Sequence, residues 1–110
     1  MSNKVVILGW VPSGYVATIR LRQLGFDTIL NEKNSVGGVC LNVGCIPTKA
    51  LYKSAEILNH ASHLESYGLD FDGIVKPNAH KIRGRKNQVV DTLVSGVEKL
   101  LSSAGVEVLY

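Results

Sequence analysis

Hydrophobic positions in the first thirty residues predict a strand–helix–strand unit. The run Lys4–Leu8 (KVVIL) is apolar and rich in β-branched residues, which is typical of a buried parallel strand. Residues Ser13–Leu24 have helix-compatible composition, and Gly25 is a suitable C-terminal cap. The short run Asp27–Leu30 (DTIL) predicts a second strand. Units of this kind have a right-handed crossover in nearly all known cases.

The middle of the chain predicts a long helix and a loop. A glycine-rich loop, Asn34–Gly38, leads into a helical stretch from about Val39 to Leu64. Pro47 lies in the early part of this stretch, where we expect it to distort or break the first turns. The segment Tyr67–Pro77 carries two further glycines and is predicted to be a loop.

The clearest periodicity lies near the C-terminal end. Within Asn87–Ser103, apolar residues recur at i, i+3, i+4, i+7, i+10 and i+11 from Val90, which predicts an amphipathic helix. Gly105 is placed to cap it, and Val106–Leu109 predicts a third parallel strand. The expected fold class is therefore α/β, with a small parallel sheet that leaves one face or edge poorly covered. We expect either the front part of a larger protein or a small domain covered by a partner.

Composition excludes several classes. The chain has 110 residues, 45% hydrophobic and 19% charged, so it forms at most one small domain and is neither disordered nor fibrous. No apolar run approaches the ~20 residues of a membrane span, and a strand starting at Lys4 leaves no room for a signal peptide. We expect a cytoplasmic protein that binds neither membrane nor nucleic acid.

A basic cluster (Lys76, Lys81, Arg83, Arg85 and Lys86, with His80) is interpreted as solvated surface or as a contact with an acidic partner.

The loop after the first strand partly matches a dinucleotide fingerprint. Gly9 and Gly14 stand at two of the three glycine positions, whereas Val11 would occupy space near a pyrophosphate and disfavours positive φ. Glu32, at the end of the second strand, is placed to accept hydrogen bonds from a ribose. The alternative is an ordinary strand–helix turn with a solvated glutamate. Trp10 is either a loop anomaly or packs against the neighbouring helix.

Two cysteines, Cys40 and Cys45, are separated by four residues. They are too few for a zinc site unless histidines join them, and His60 and His63 lack finger-like spacing. A disulfide between them requires a deformed helix start, for which Gly44 and Pro47 give freedom. A helix N-terminus would favour the thiolate needed for dithiol–disulfide exchange. The alternative is a pair of buried, inert cysteines.

The segment GGVCLNVGCIPTKAL resembles the redox-active segment of the flavin-dependent pyridine nucleotide–disulfide oxidoreductases. Within that family, CLNVGCIPTKAL is most similar to the dihydrolipoamide dehydrogenases, and glutathione and mercuric reductases carry a related segment. The stretches VVILG, GYVATIRLRQLGF, NEKNSVGG and VEVLY also stand in the family's order and spacing. The resemblance therefore covers nearly the whole chain.

The resemblance implies a Rossmann-like FAD-binding domain, of which residues 1–110 would be the N-terminal portion, without the NAD and interface domains. It implies that Cys40 exchanges with a substrate dithiol, that Cys45 lies nearest the flavin and that Lys49 lies beside the flavin ring. No metal is expected. The residues implied to contact FAD are Gly9, Pro12, Ser13, Gly14, Glu32, Lys33, Gly38, Val39, Cys40, Gly44, Cys45 and Lys49.

The implied activity of the whole protein is oxidation of dihydrolipoamide to lipoamide, with FAD as carrier and NAD as acceptor. Its implied partners are a lipoamide-bearing domain of a 2-oxoacid dehydrogenase or glycine cleavage complex, and a second subunit in a homodimer. The alternatives are a glutathione- or mercuric-type reductase, or a non-catalytic fragment that has lost FAD binding. None of His60, His63 and His80 matches the family's catalytic histidine, so we expect the chain alone to be inactive.

Several residues depart from the family's pattern. Val11 and Ser13 replace glycines of the phosphate loop, and Trp10 replaces a small residue. The other departures are Arg22 for alanine, Asn31 for a strand valine or isoleucine, and Val39 for threonine.

Overall fold

A computed structural model describes residues 3–110 and shows three parallel strands in the order β1-β2-β3. Strand β1 spans Lys4–Leu8, β2 spans Asp27–Asn31 and β3 spans Glu107–Leu109. In the register, Val6 lies opposite Ile29, and Leu30 lies opposite Val108. The expected α/β class with a small parallel sheet is confirmed.

Four α-helices connect the strands. Helix α1 spans Pro12–Gln23, α2 spans Gly38–Asn42, α3 spans Cys45–Ala61 and α4 spans Ala79–Ser103, and a 3₁₀ turn covers Leu64–Tyr67. Helices α1 and α4 contact each other, as expected when two right-handed crossovers proceed in the same direction along a sheet. The core lies beneath them and contains Trp10, Leu30, Val36, Leu41, Val97 and Leu101.

One face of the sheet is bare at β1. Its side chains alternate in burial, and Val6 and Leu8 are 57% and 80% exposed. The sheet is therefore poorly covered, as predicted, because no described residue covers this face of β1. The molecule is also elongated, with extents of 70 × 26 × 18 Å, and α3 packs against α4.

The predicted helical stretch from Val39 to Leu64 is interrupted near its start, but not at Pro47 as expected. The helical conformation is interrupted at Val43 and Gly44, so that α2 ends and α3 begins before Pro47. Pro47 is the third residue of α3, where the fixed φ of proline is compatible with a first helical turn. Helix α3 ends at Ala61, three residues earlier than predicted.

The last helix is longer than its periodicity indicates. It begins at Ala79 instead of Asn87, because the Asn78 side chain accepts a hydrogen bond from the Lys81 backbone N–H at 3.0 Å and caps the first turn. Between residues 79 and 86 the only large apolar side chain is that of Ile82, which is partly buried. This stretch therefore has no apolar face that a sequence pattern could reveal. At the other end Gly105, with φ of +66°, terminates the helix as predicted.

Candidate functional site

The turn between β1 and α1 requires glycine at two positions. Gly9 has φ of +96°, and its N–H donates to the Asn31 carbonyl at 2.9 Å, which extends the parallel ladder by one residue. Gly14 is buried in the first turn of α1, and a Cβ added there would lie 2.1 Å from the Gly9 carbonyl oxygen. A side chain at position 14 would therefore force α1 away from the strand.

Val11 does not need the conformational freedom of glycine. It is the N-cap of α1 with φ of −66° and ψ of 163°, so the expected conflict with positive φ does not arise. The remaining effect of Val11 on the cavity is steric. The Val11 Cγ1 atom lies 3.1 Å from the position of a Cβ on Gly38, so the isopropyl group covers the start of α2.

Trp10 is a core residue. It is 2% exposed, belongs to the same buried cluster as Leu101 and lies 6.2 Å from the Tyr110 ring. Of the two possibilities left by the sequence, packing is correct. Its indole Nε1 has no hydrogen-bond partner among residues 3–110.

The Glu32 carboxylate ties together the two loops that follow β1 and β2. The backbone N–H of Trp10 donates to Oε2, and those of Lys33 and Asn34 donate to Oε1, all at 2.8 Å. These bonds, led by that of Asn34, lower the pKa of Glu32, although burial acts in the opposite direction. Glu32 is therefore a buried, fixed anion at the end of β2 and not a solvated one.

A cavity of about 410 Å³ opens beside this carboxylate. Its wall is formed by the first loop, the end of β2 and α2; of the residues predicted from the sequence, it includes Gly9, Glu32, Lys33, Gly38 and Val39. Pro12, Ser13 and Gly14 do not line it, since they form the first turn of α1. The residues predicted to contact FAD thus divide into a cavity wall, a supporting turn and four residues that belong to neither, Cys40, Gly44, Cys45 and Lys49.

The cavity fits part of a dinucleotide. Three backbone donors leave the Glu32 carboxylate about one of its four acceptor sites for a ribose hydroxyl. No backbone carbonyl accepts from the Ser13 N–H at the start of α1 within the described residues, so it remains for an anion. Val11 narrows the space without closing it, because it is itself 44% exposed.

The break between α2 and α3 brings the two cysteines together. A Cβ on Gly44 would lie 2.9 Å from the Val39 carbonyl oxygen and 3.3 Å from the Cys40 Cα, so glycine permits this close turn. Cys45 is the first residue of α3 and is exposed, whereas Cys40 lies within α2 and is half-buried. Both are free thiols.

The cysteines interact through their side chains. A hydrogen bond with the Cys45 side chain, followed by partial burial and the charge of Cys45, raises the pKa of the Cys40 thiol. The Cys45 backbone and the Lys49 ammonium act in the opposite direction. The backbone at the start of α3 therefore favours the Cys40 thiolate, but the effects that raise the pKa outweigh it. The reading of two buried, inert cysteines does not fit an exposed Cys45.

Asn42 is a structural residue of this site that the sequence analysis missed. Its Nδ2 donates to the carbonyls of Val36 and Gly38, at 2.8 and 2.9 Å. It also lines the cavity, so one side chain ties the glycine-rich loop to α2. Its place between Cys40 and Cys45 in the sequence was the available signal.

Comparison with known proteins identifies the family. A family model described as pyridine nucleotide-disulphide oxidoreductase matches residues 3–110. The chain belongs to this family.

Curated relatives within the family are dihydrolipoyl dehydrogenases. The protein from Rhizobium etli is 46% identical over 109 residues, which cover 99% of this chain and 23% of the relative. Those from Haloferax volcanii and Bacillus subtilis are 43% and 45% identical and are each covered over 22% of their length. The chain thus spans less than a quarter of these curated relatives.

Solved structures of this oxidoreductase family show the same fold. The HOCl-induced flavoprotein disulfide reductase RclA from Escherichia coli matches 94% of the chain with a TM-score of 0.74 and 26% identity. Its Cu(II) complex matches equally well, and the chain covers 20–21% of either structure. The Rossmann-like α/β class expected from the sequence is confirmed.

One departure from the oxidoreductase pattern has a structural explanation. Arg22 donates from Nε to the Ala104 carbonyl at 3.2 Å and pairs with Asp27 at 3.1 Å, which ties α1 to the end of α4 and the start of β2. Asn31 is half-buried at the end of β2, where its backbone carbonyl accepts from Gly9, and nothing in residues 3–110 explains its amide side chain.

The histidines lie outside the site. His60, His63 and His80 are exposed on α3, in the turn after it and on α4. Residues 3–110 contain no group of three or more acidic, histidine or cysteine side chains placed to hold a metal ion. None of the helices in this part of the chain combines the length and apolar composition needed to cross a membrane.

Proposed function

We propose that residues 1–110 form the N-terminal portion of an FAD-binding domain with a redox-active Cys40–Cys45 pair, from an enzyme of the dihydrolipoamide dehydrogenase type. One observation carries the proposal. Helix α2 lines the cavity with Val39 and Asn42 and carries Cys40 between them, and the neighbouring Cys45 raises the pKa of the Cys40 thiol. One short helix therefore borders the cavity and carries one cysteine of the proposed redox pair.

In the proposed site the chain's own residues hold FAD and exchange electrons with a dithiol. Glu32 would accept from a ribose hydroxyl, and the Ser13 N–H at the start of α1 would donate to a phosphate oxygen, while Pro12 and Gly14 form the supporting turn. Lys33, Gly38, Val39 and Gly44 shape the cavity and the turn beside it. FAD, when bound, would supply the two-electron carrier that the side chains lack.

The exchange step balances on the two cysteines. A substrate thiolate attacks Cys40 Sγ of the oxidised pair, forms a mixed disulfide and releases Cys45 as a thiolate. The second substrate thiol loses its proton, and its sulfur attacks the first substrate sulfur, which is bonded to Cys40 in the mixed disulfide. This step closes the substrate disulfide and releases Cys40 as a thiolate. Cys40 takes up a proton readily because of its raised pKa. The substrate is oxidised by two electrons and the pair is reduced by two, while Lys49 supplies a nearby positive charge.

Dihydrolipoamide is the proposed substrate because the curated relatives carry the name dihydrolipoyl dehydrogenase. In the whole enzyme NAD is the proposed acceptor, and a lipoamide-bearing domain and a second subunit are the proposed partners. A glutathione- or mercuric-type reductase would use the same pair in the opposite direction of electron flow.

Two measurements test the proposal. The oxidised chain, treated with dihydrolipoamide, should gain two titratable thiols, and the variant Cys45→Ser should gain none because it cannot form the internal disulfide. FAD added to the chain should lose fluorescence and remain with the protein on gel filtration. A chain that forms no internal disulfide would overturn the redox proposal, and one that ignores FAD would favour the non-catalytic alternative.

A further inference from the structure

A groove between α3 and the start of α4 lies apart from the nucleotide cavity. It encloses about 520 Å³ and is lined by apolar side chains that include Leu51, Leu58 and Ile82. Three cations, Lys76, Lys81 and Arg85, also line it, whereas no acidic residue does. We refer to this surface as the α3–α4 groove and to the three residues as the groove cations.

The groove cations are not neutralised within the described part of the chain. The two ion pairs among residues 3–110 are Arg22–Asp27 and Lys53–Glu56, and neither involves a groove cation. Arg85 donates from Nη1 to the Ala50 carbonyl, which fixes its guanidinium against α3 without pairing its charge. From residue 73 to residue 90 the chain has five lysines and arginines and no aspartate or glutamate.

The unpaired cations beside the apolar lining make the α3–α4 groove favour an occupant that carries negative charge. A neutral apolar segment would leave the groove cations without partners, and a basic one would be repelled. The lining comes from two helices and the loop between them, so no sheet edge is available for strand addition. A groove between helices accepts the side-chain ridge of a third helix, whereas a bilayer offers no ridge.

We propose that the α3–α4 groove docks an acidic amphipathic helix of a partner polypeptide, with apolar side chains in the groove and carboxylates on the groove cations. This surface involves neither the cysteine pair nor the nucleotide cavity, so the proposal stands independently of FAD binding.

Fluorescence anisotropy with synthetic peptides tests the proposal on the full 110-residue chain. The probe is a labelled peptide of about five helical turns with leucines on one face and glutamates on the other. A reference peptide carries lysine in place of glutamate. We expect the acidic peptide to bind at least tenfold more tightly than the lysine peptide at physiological salt.

Paired charge reversals separate the groove from general electrostatics. Lys76→Glu with Lys81→Glu removes two groove cations, whereas Arg83→Glu with Lys86→Glu makes the same change in net charge at residues that do not line the groove. The first pair should weaken binding of the acidic peptide at least tenfold and the second less than about threefold, since salt screens charges beyond ~8 Å. Far-UV circular dichroism verifies that both variants are folded.

A neutral variant tests the apolar part of the groove. Ala55 lines it, and Ala55→Leu would fill part of the space without altering charge or helix propensity substantially. We expect this variant to weaken peptide binding at least threefold. Equal effects of the two charge reversals, no effect of Ala55→Leu, or binding to anionic lipid vesicles in place of the peptide would each overturn the proposal.

Discussion

At the scale of single residues, Glu32 shows how a site residue also holds the fold. The residue is 8% exposed, and its carboxylate accepts three backbone hydrogen bonds from three different residues. Each charge-assisted bond stabilises the turn beyond what a neutral acceptor would provide. The side chain proposed to bind a ribose is thus also the acceptor that orders the two loops around the cavity.

Replacing Glu32 with glutamine tests this dual role. Glutamine keeps the shape but offers one acceptor oxygen and an amide that cannot accept, so we expect a loss of about 1–3 kcal/mol in the free energy of unfolding at neutral pH. Urea unfolding of the parent and of Glu32→Gln measures the difference. Glu65→Gln, at an exposed position, is the control and should change little.

The same pair of variants should respond differently to acid. The folded state lowers the pKa of Glu32, so its stabilisation is complete above the glutamate's usual pKa and is lost as pH falls through the lowered value. The gap between the parent and Glu32→Gln should therefore shrink below about pH 4. A gap that is constant with pH would show that ionisation of Glu32 contributes nothing.

Val11 controls the space over Gly38, and its removal should improve nucleotide binding. Val11→Gly would clear the isopropyl group that lies against the start of α2, and Val11→Ala would clear part of it. Titration of FAD fluorescence should give the order glycine tightest, then alanine, then valine, with about tenfold between the extremes. Val16→Ala, on the exposed side of α1, should bind FAD as the parent does.

At the scale of elements, the α2–α3 break positions the cysteines, and Gly44 permits it. Gly44→Ala would place a methyl group against the Val39 carbonyl and the Cys40 backbone, which forces the helices apart. We expect slower formation of the Cys40–Cys45 disulfide under a mild oxidant, read from the loss of titratable thiols.

Gly84 supplies a matched control for that experiment. It lies within α4, and a Cβ added there meets no atom within 4 Å. Gly84→Ala should stabilise the helix by up to about 1 kcal/mol and leave the rate of disulfide formation unchanged. If Gly44→Ala oxidised as fast as Gly84→Ala, the break would not be what brings the thiols together.

The sequence predicted those elements that carry a recognisable apolar pattern. Strands β1 and β2 were predicted from short apolar runs, and the second half of α4 from a helical period in which Val97 and Leu101 are buried. The first half of α4 was missed because its cap, Asn78, and its exposed basic residues produce no apolar period.

The site was predictable in its residues but not in its connections. A motif identifies Cys40, Cys45 and Glu32, yet no local pattern shows that Glu32 accepts from Trp10 or that Asn42 ties the glycine-rich loop to α2. These contacts depend on how the loops close in three dimensions. The helix break lies at Val43 and Gly44, where the chain turns closely past Val39 and Cys40, and not at Pro47, which the sequence analysis expected to distort the helix.

At the scale of the whole molecule, the chain has one covered and one bare sheet face. Val6 and Leu8 form an apolar surface on β1 that an FAD-binding domain of the proposed kind would cover with further chain. The redox pair, in contrast, is complete within two adjacent helices. The chain should therefore perform reactions that need only the cysteines and fail at those that need other surfaces.

Turnover distinguishes these two classes of reaction. Residues 3–110 bring together one nucleotide cavity with a glycine turn and one cysteine pair, and none of the three histidines lies beside the thiols. Rapid turnover needs an acid–base group positioned at the dithiol and a second nucleotide site for NAD, and this arrangement has neither, whereas a single exchange can pass its protons to water. We therefore expect dihydrolipoamide to reduce the oxidised chain stoichiometrically, while NADH absorbance stays at background when NAD and FAD are added in excess. A full-length dihydrolipoyl dehydrogenase assayed alongside provides the positive control, and sustained NADH formation by the 110-residue chain at a comparable rate would contradict the expectation.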